Sequence, residues 1–115
     1  MSEIVIYHNS RCSKSNEGVR FVEEMGFLPI IKYYLNDPLT DEELKTMLKG
    51  YVGDLKELVR VKDAKKLDVN LPTDYTFDEV FNLLKAAPAI LERPVVGNKG
   101  KFIVARPAEK AKVVL

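Results

Sequence analysis

A single cysteine, a single histidine and no tryptophan are the scarcest features of this 115-residue chain. One cysteine cannot close an internal disulfide, so the chain is no disulfide-stapled secreted domain, and a reducing, cytoplasmic setting is expected. One Cys and one His also supply too few soft ligands for zinc, and no metal is expected. Net charge is nearly absent: eighteen Lys and Arg against seventeen Asp and Glu leave a formal +1. Such a chain lacks the field that gathers nucleic acid or an anionic membrane, so neither is expected as a partner and any anion site has to be local. No apolar run approaches the ~18 residues needed to span a bilayer, and the opening Met1-Ser-Glu-Ile-Val-Ile-Tyr-His has no basic stretch leading into one. A soluble, unexported protein is expected. No repeat, low-complexity tract or linker divides the chain, and its 46% hydrophobic content suits one domain over residues 1–115, with a monomer expected.

What is present reads as alternating strands and helices. Ile4-Val5-Ile6-Tyr7 is a short apolar, β-branched run of the kind buried on both faces of a sheet. Val19, Val22 and Met25 then recur at helical spacing until Gly26, and Ser13 or Ser15 can cap the helix start. Pro29 to Leu35, with Ile30, Ile31, Tyr33 and Tyr34, reads as a second strand, parallel to the first through a right-handed crossover. A helical insert follows at about residues 38–88. Thr40 with Glu43, and Thr76 with Glu79, match capping boxes, while residues 53–73 suggest short helices joined by turns. Val95-Val96, a Gly97-Asn98-Lys99-Gly100 turn and Phe102-Ile103-Val104 read as a hairpin, and Pro107 suits the first turn of a closing helix with Ala108, Ala111 and Val114. The expected fold class is α/β: a thioredoxin-like mixed four-stranded sheet, βαβ then helical insert then ββα, flanked by helices.

The chemistry gathers at His8-Asn9-Ser10-Arg11-Cys12-Ser13-Lys14-Ser15. A thiol at a helix start meets exposed amide hydrogens and the positive end of the helix dipole. Arg11 and Lys14 add positive potential, and Ser13 or Ser15 can donate to sulfur, so Cys12 is expected to titrate low and act as a nucleophile. A buried, inert cysteine is the alternative, disfavoured by these polar neighbours. His8 reads either as a proton carrier or cation near the sulfur or as a hydrogen-bonded structural residue. Serine stands at position 15, where a dithiol motif would carry its second cysteine. With no internal thiol to resolve an adduct on Cys12, an external thiol is required.

Tyr7 to Ser15, Leu58-Val59-Arg60, Glu92-Arg93-Pro94-Val95-Val96 and Ala105-Arg106-Pro107 together resemble the glutaredoxin-coupled arsenate reductase family from Ile4 to the C-terminus. Ser10 and Ser13-Lys14 stand where family members commonly have proline and Gly-Thr, so the Arg-Cys-Ser-Lys-Ser form resembles a related branch. The resemblance implies an oxidoreductase in which Cys12 attacks arsenate or a similar small oxyanion. Glutathione, a co-substrate rather than a bound cofactor, resolves the adduct, and glutaredoxin reduces the mixed disulfide. It further implies that Arg60, Arg93 and Arg106 bind the oxyanion, a role that suits the planar guanidinium fork. Pro94 becomes the candidate cis-proline facing the thiol. The competing expectations are an Spx-type thioredoxin-fold regulator docking on a protein such as RNA polymerase, and a thiol-disulfide or deglutathionylation enzyme. The missing Cys-x-x-Cys disfavours the first, and the three arginines disfavour the second.

Overall fold

The computed structural model describes residues 3–115. Strand β1 (Val5–Tyr7) leads through the Cys12 loop into α1 (Ser13–Glu24), and β2 (Ile30–Lys32) then lies parallel to β1. Three helices follow, α2 (Asp41–Gly50), α3 (Val61–Lys66) and α4 (Phe77–Ala86). Short 3-10 turns at Leu55–Leu58 and Pro88–Ile90 flank the last two. The chain returns as the hairpin β3 (Val95–Asn98) and β4 (Lys101–Val104) and closes with a 3-10 helix, Ala108–Val113. With β3 antiparallel to β1, the mixed four-stranded sheet runs β2-β1-β3-β4. This is the thioredoxin-like α/β arrangement expected from the sequence.

Strand alternation distributes the core over both faces of that sheet. Ile6, Val96 and Ile103 are register partners and meet Val22 from α1, Ala111 from the closing 3-10 helix and Val114 just after it. One residue out of phase, Tyr7, Val95 and Val104 are likewise partners and pack under α2 and α4 against Leu44, Met47, Leu48, Val80 and Leu84. Both faces are covered, which is why the strands read as continuous apolar runs.

Helix boundaries follow local chemistry. Thr40 and Thr76 each accept the amide of the residue three positions on, and Glu43 and Glu79 reach back to the cap, closing both expected capping boxes. In α1 the expected stripe shifts. Ser15, Gly18 and Val22 are its buried residues, whereas Met25, read at the same helical spacing as Val19 and Val22, is exposed beyond the helix end. The second strand is shorter than the span from Pro29 to Leu35: the amides of Asn36 and Asp37 both turn back onto the Tyr33 carbonyl. Tyr34 is thereby buried and donates to the Leu91 carbonyl at 3.3 Å. The hairpin turn is also tighter than expected. Gly97 and Asn98 belong to β3, and only Lys99 (φ 54°) and Gly100 (φ 79°) make the turn, both in the left-handed region that two-residue hairpin turns require. The closing segment is a 3-10 helix with i+3 bonds such as Lys110 N–H to the Pro107 carbonyl, and Pro107 precedes it rather than opening an α-helix.

Gly18 faces the ring of Pro94, just before β3, so closely that a Cβ there would overlap the ring. That contact holds α1, and the thiol at its start, against the segment carrying Arg93. Gly18→Ala is therefore expected to destabilise the protein by about 1–3 kcal/mol through overpacking, read as a lower urea midpoint at unchanged m-value. An unaltered midpoint would show that this contact is not tight.

Candidate active site at the start of the first helix

The loop that presents Cys12 is folded by its own side chains. Asn9 Oδ1 accepts the Arg11 amide at 3.0 Å, the Asn9 carbonyl accepts the Cys12 amide at 3.0 Å, and Asn16 Nδ2 donates to the Ser10 carbonyl at 3.0 Å. Cys12 falls at the N-cap of α1 in extended conformation (φ −100°, ψ 119°), and the sulfur closes no capping hydrogen bond of ordinary length. The amides of Ser15 and Lys14 nevertheless act on it. Burial pushes the thiol pKa up, but the Ser15 amide, the Arg93 and Arg106 guanidiniums and the Lys14 amide outweigh it, holding Cys12 below the usual thiol value. The most direct contact is Arg106 Nη1, which donates to Cys12 Sγ at 3.6 Å.

Three arginines remote in sequence reach this place through short backbone pairings. The Val59–Leu91 bridge, with Arg60 N–H on the Ile90 carbonyl at 2.7 Å and Glu92 N–H on the Leu58 carbonyl at 2.8 Å, sets Arg60 beside Glu92. Ala105 N–H on the Pro94 carbonyl at 2.9 Å does the same for Arg106 and Arg93, and Arg106 Nη1 also donates to the Arg93 carbonyl at 3.3 Å. The Arg93–Pro94 peptide is cis, and so is Arg106–Pro107, which the sequence did not suggest. Two carboxylates knit the arginines together. Asp63 Oδ2 lies 3.0 Å from Arg93 Nη1 and 3.1 Å from Arg60 Nε. Glu92 Oε1 takes a bond from Arg60 Nη1 at 3.1 Å and lies 3.7 Å from Arg106 Nη1. Despite burial, Arg93 and then Arg60 hold the Asp63 carboxyl below its ordinary range. Among the described residues Arg93 Nε finds no acceptor, and Arg60 Nε, although close to Asp63, is off the hydrogen-bond direction.

Not every expected residue reaches the sulfur. Arg93 and Arg106 do, whereas Arg60 meets them only through Asp63 and Glu92. The Arg11 side chain is exposed and is not among the groups that chiefly lower the thiol pKa. Lys14 contributes its amide, while its ammonium lies 3.6 Å from Glu17 in an exposed pair. Ser13 is exposed; Ser15 is fully buried, and its amide rather than its hydroxyl serves the thiol. That hydroxyl lies 2.7 Å from His8 Nδ1 and accepts the Asn9 amide at 3.1 Å. His8 is buried, edge-on to Tyr33, and burial holds its pKa below 6.5. Burial thus disfavours the imidazolium form, against a role for His8 as a cation beside the sulfur. Asp63 and Glu92 were missed by sequence reasoning. Their signal was an acidic residue three positions after Arg60 and another directly before Arg93, positions that surface charges also occupy.

Because Arg106 touches the sulfur, Arg106→Ala is expected to move the midpoint of the pH dependence of Cys12 alkylation upward, with Arg93→Ala acting in the same sense and Arg11→Ala leaving it in place. An unmoved midpoint in Arg106→Ala would remove that guanidinium from the thiolate's environment. His8 gives a second pH effect. Its folded pKa is depressed below 6.5, so the unfolded chain binds the extra proton as pH falls through that value. The stability that neutral, buried His8 contributes above 6.5 is lost towards its folded pKa. Urea midpoints measured between pH 7 and pH 5 should fall, and His8→Asn should flatten that slope.

Residues 7–114 match the model of the ArsC family. The chain is 34% identical to an arsenate reductase of Haemophilus influenzae, over 97% of its own length and 98% of the relative's. It is 37% identical to an arsenate reductase of Neisseria meningitidis over the full length of both chains. Among solved structures, the arsenate reductase from Vibrio cholerae superposes with a TM-score of 0.78 at 29% identity, over 98% of each chain. The thiol at the helix start, the arginines converging on it and these full-length similarities agree, and the chain belongs to the ArsC family.

Proposed function

We propose that this protein reduces arsenate through a covalent adduct on Cys12, drawing its electrons from glutathione and glutaredoxin. The observation that carries this reading is the Arg106 guanidinium donating to the only thiol of the chain at 3.6 Å, with Arg93 beside it. A nucleophile thus lies beside guanidinium forks of the kind that bind oxyanions, which is what arsenate activation requires.

In the proposed sequence the Cys12 thiolate attacks arsenic. A sulfur–arsenic bond forms, and an arsenic oxygen leaves as water after protonation. Arg93 and Arg106 bind the remaining oxygens and stabilise the charge that shifts onto them. Arg60 steadies both through Asp63 and Glu92. The glutathione thiolate then attacks the Cys12 sulfur. The sulfur–arsenic bond breaks with its electron pair left on arsenic, which departs as arsenite, and Cys12 remains as a mixed disulfide with glutathione. Glutaredoxin takes over the glutathionyl group and regenerates the thiolate. An outside thiol is needed because no second cysteine exists to do this work. Ser13 is exposed and is given no part, Ser15 serves through its amide, and His8 braces the loop through Ser15. The chain is taken to act in the cytoplasm, where glutathione keeps the lone thiol reduced.

The test is arsenate-dependent NADPH oxidation in the presence of glutathione, glutaredoxin and glutathione reductase. The wild type should turn over and Cys12→Ser should not, while Arg106→Ala should lose about 100-fold or more in rate, as removal of an oxyanion donor does. A wild type no faster than Cys12→Ser refutes the reading. Retained glutathionyl exchange in that case would assign the thiol to deglutathionylation instead.

A further inference from the structure

Glu92 sits against Arg106, one of the two guanidiniums assigned above to the oxyanion, and ties it to Arg60. Its Oε1 accepts from Arg60 Nη1 at 3.1 Å and from the Arg93 amide at 3.2 Å, and lies 3.7 Å from Arg106 Nη1. That same Arg106 nitrogen donates to Cys12 Sγ at 3.6 Å, so one guanidinium is divided between the nucleophile and a resident carboxylate. A cleft of about 300 Å³ opens onto Glu92 and Arg106 between Glu57 and Lys110, whose charges offset one another. Asp63 is placed differently: it pairs with Arg60 and Arg93 rather than with Arg106, the arginine that donates to the sulfur. Within the site, Arg60, Arg93 and Arg106 are balanced by Asp63, Glu92 and the Cys12 thiolate. No excess positive charge remains to favour a doubly charged anion. Recognition is left to the shape of the guanidinium forks.

We propose that Glu92 is a specificity-determining residue: it competes as a built-in carboxylate for the arginine forks and biases the Cys12 site towards singly charged oxyanions over doubly charged ones. The inference rests on the oxyanion-binding reading above. It concerns a choice among anions rather than turnover, since like charge placed at a binding site discriminates by repulsion as well as by contact. Arsenate near neutral pH is present in both charge states, and Glu92 would select the less charged one.

The experiment follows alkylation of Cys12 by uncharged iodoacetamide in the full chain, at constant ionic strength, and measures the half-protecting concentrations of sulfate, a dianion, and perchlorate, a monoanion. Glu92→Gln keeps the shape and an oxygen for Arg60 but removes the charge. Taking the lost charge as about 4 Å from the anion in water-like surroundings, protection should improve about fivefold for perchlorate and about 25-fold for sulfate. Glu92→Asp, which keeps the charge, should retain the wild-type sulfate-to-perchlorate ratio. Weaker protection by both anions in Glu92→Gln would mean that the carboxylate only positions the arginines, and overturns the proposal. An equal gain for both anions, or a Glu92→Asp variant that behaves like Glu92→Gln, overturns it as well. Should Glu92→Gln fail to fold, the wild type still decides: sulfate protecting no better than perchlorate is expected, and sulfate protecting tenfold better refutes the proposal. If neither anion protects any variant, the oxyanion site itself falls, an outcome distinct from the failure of charge selection.

Discussion

The segment from Ile90 to Val95 is the spine of the site, because each remote piece of the active region is hydrogen-bonded to it. On one side the amides of Arg60 and Glu92 exchange bonds with the carbonyls of Ile90 and Leu58. On the other, the Ala105 amide binds the Pro94 carbonyl, and Val95 pairs with both Tyr7 and Val104. The spine runs into β3, which is paired on both edges and buried on both faces, so its position is among the most strongly determined in the molecule. Gly18 closing on Pro94 then sets the first helix, with its thiol, at a fixed distance from the arginines.

Bringing three guanidiniums together has an electrostatic cost that the chain meets locally. Half-buried like charges repel and lose hydration, and such clusters persist when carboxylates share them. Asp63 and Glu92 do this by bridging: each contacts two arginines, which fixes their mutual spacing as well as neutralising them. The consequence for chemistry is mixed. The forks are preorganised, but much of their positive charge is already engaged. What reaches the sulfur is a guanidinium contact at close range, reinforced by backbone amides, rather than a strong overall positive field.

The helix start works on the same economy of means. Sulfur replaces the oxygen of an ordinary cap, so the first amides of α1 remain partly uncommitted and act on the thiol. The loop ahead of it is held by Asn9, Asn16 and the His8–Ser15 pair, and none of these contacts uses the sulfur. The nucleophile is thus presented by a loop whose own hydrogen bonds do not engage the sulfur, leaving it to the helix amides and Arg106.

Local and pairwise information was enough for much of this. Both capping boxes, the parallel first pair of strands and the return hairpin follow from residue spacing, because caps, turns and strand alternation act over a few positions. The thiol at a helix start and its need for an external partner follow from Cys12 being the only cysteine. The family motifs named the three arginines but could not say that Arg60 meets the others only through carboxylates. Nor could they say that Arg11 is exposed and that the Lys14 ammonium pairs with Glu17, although both are sequence neighbours of Cys12. Short elements misled for the same reason: Tyr33, Tyr34 and Leu35 have strand character, yet the turn back onto the Tyr33 carbonyl buries Tyr34 and exposes the other two. The sequence by itself determined the elements and the nucleophile, since both depend on neighbours within a turn or two. Only the tertiary structure decided which charges face that nucleophile, because Asp63, Glu92, Arg93 and Arg106 meet through backbone pairings between segments distant in the chain, and no local pattern encodes those contacts.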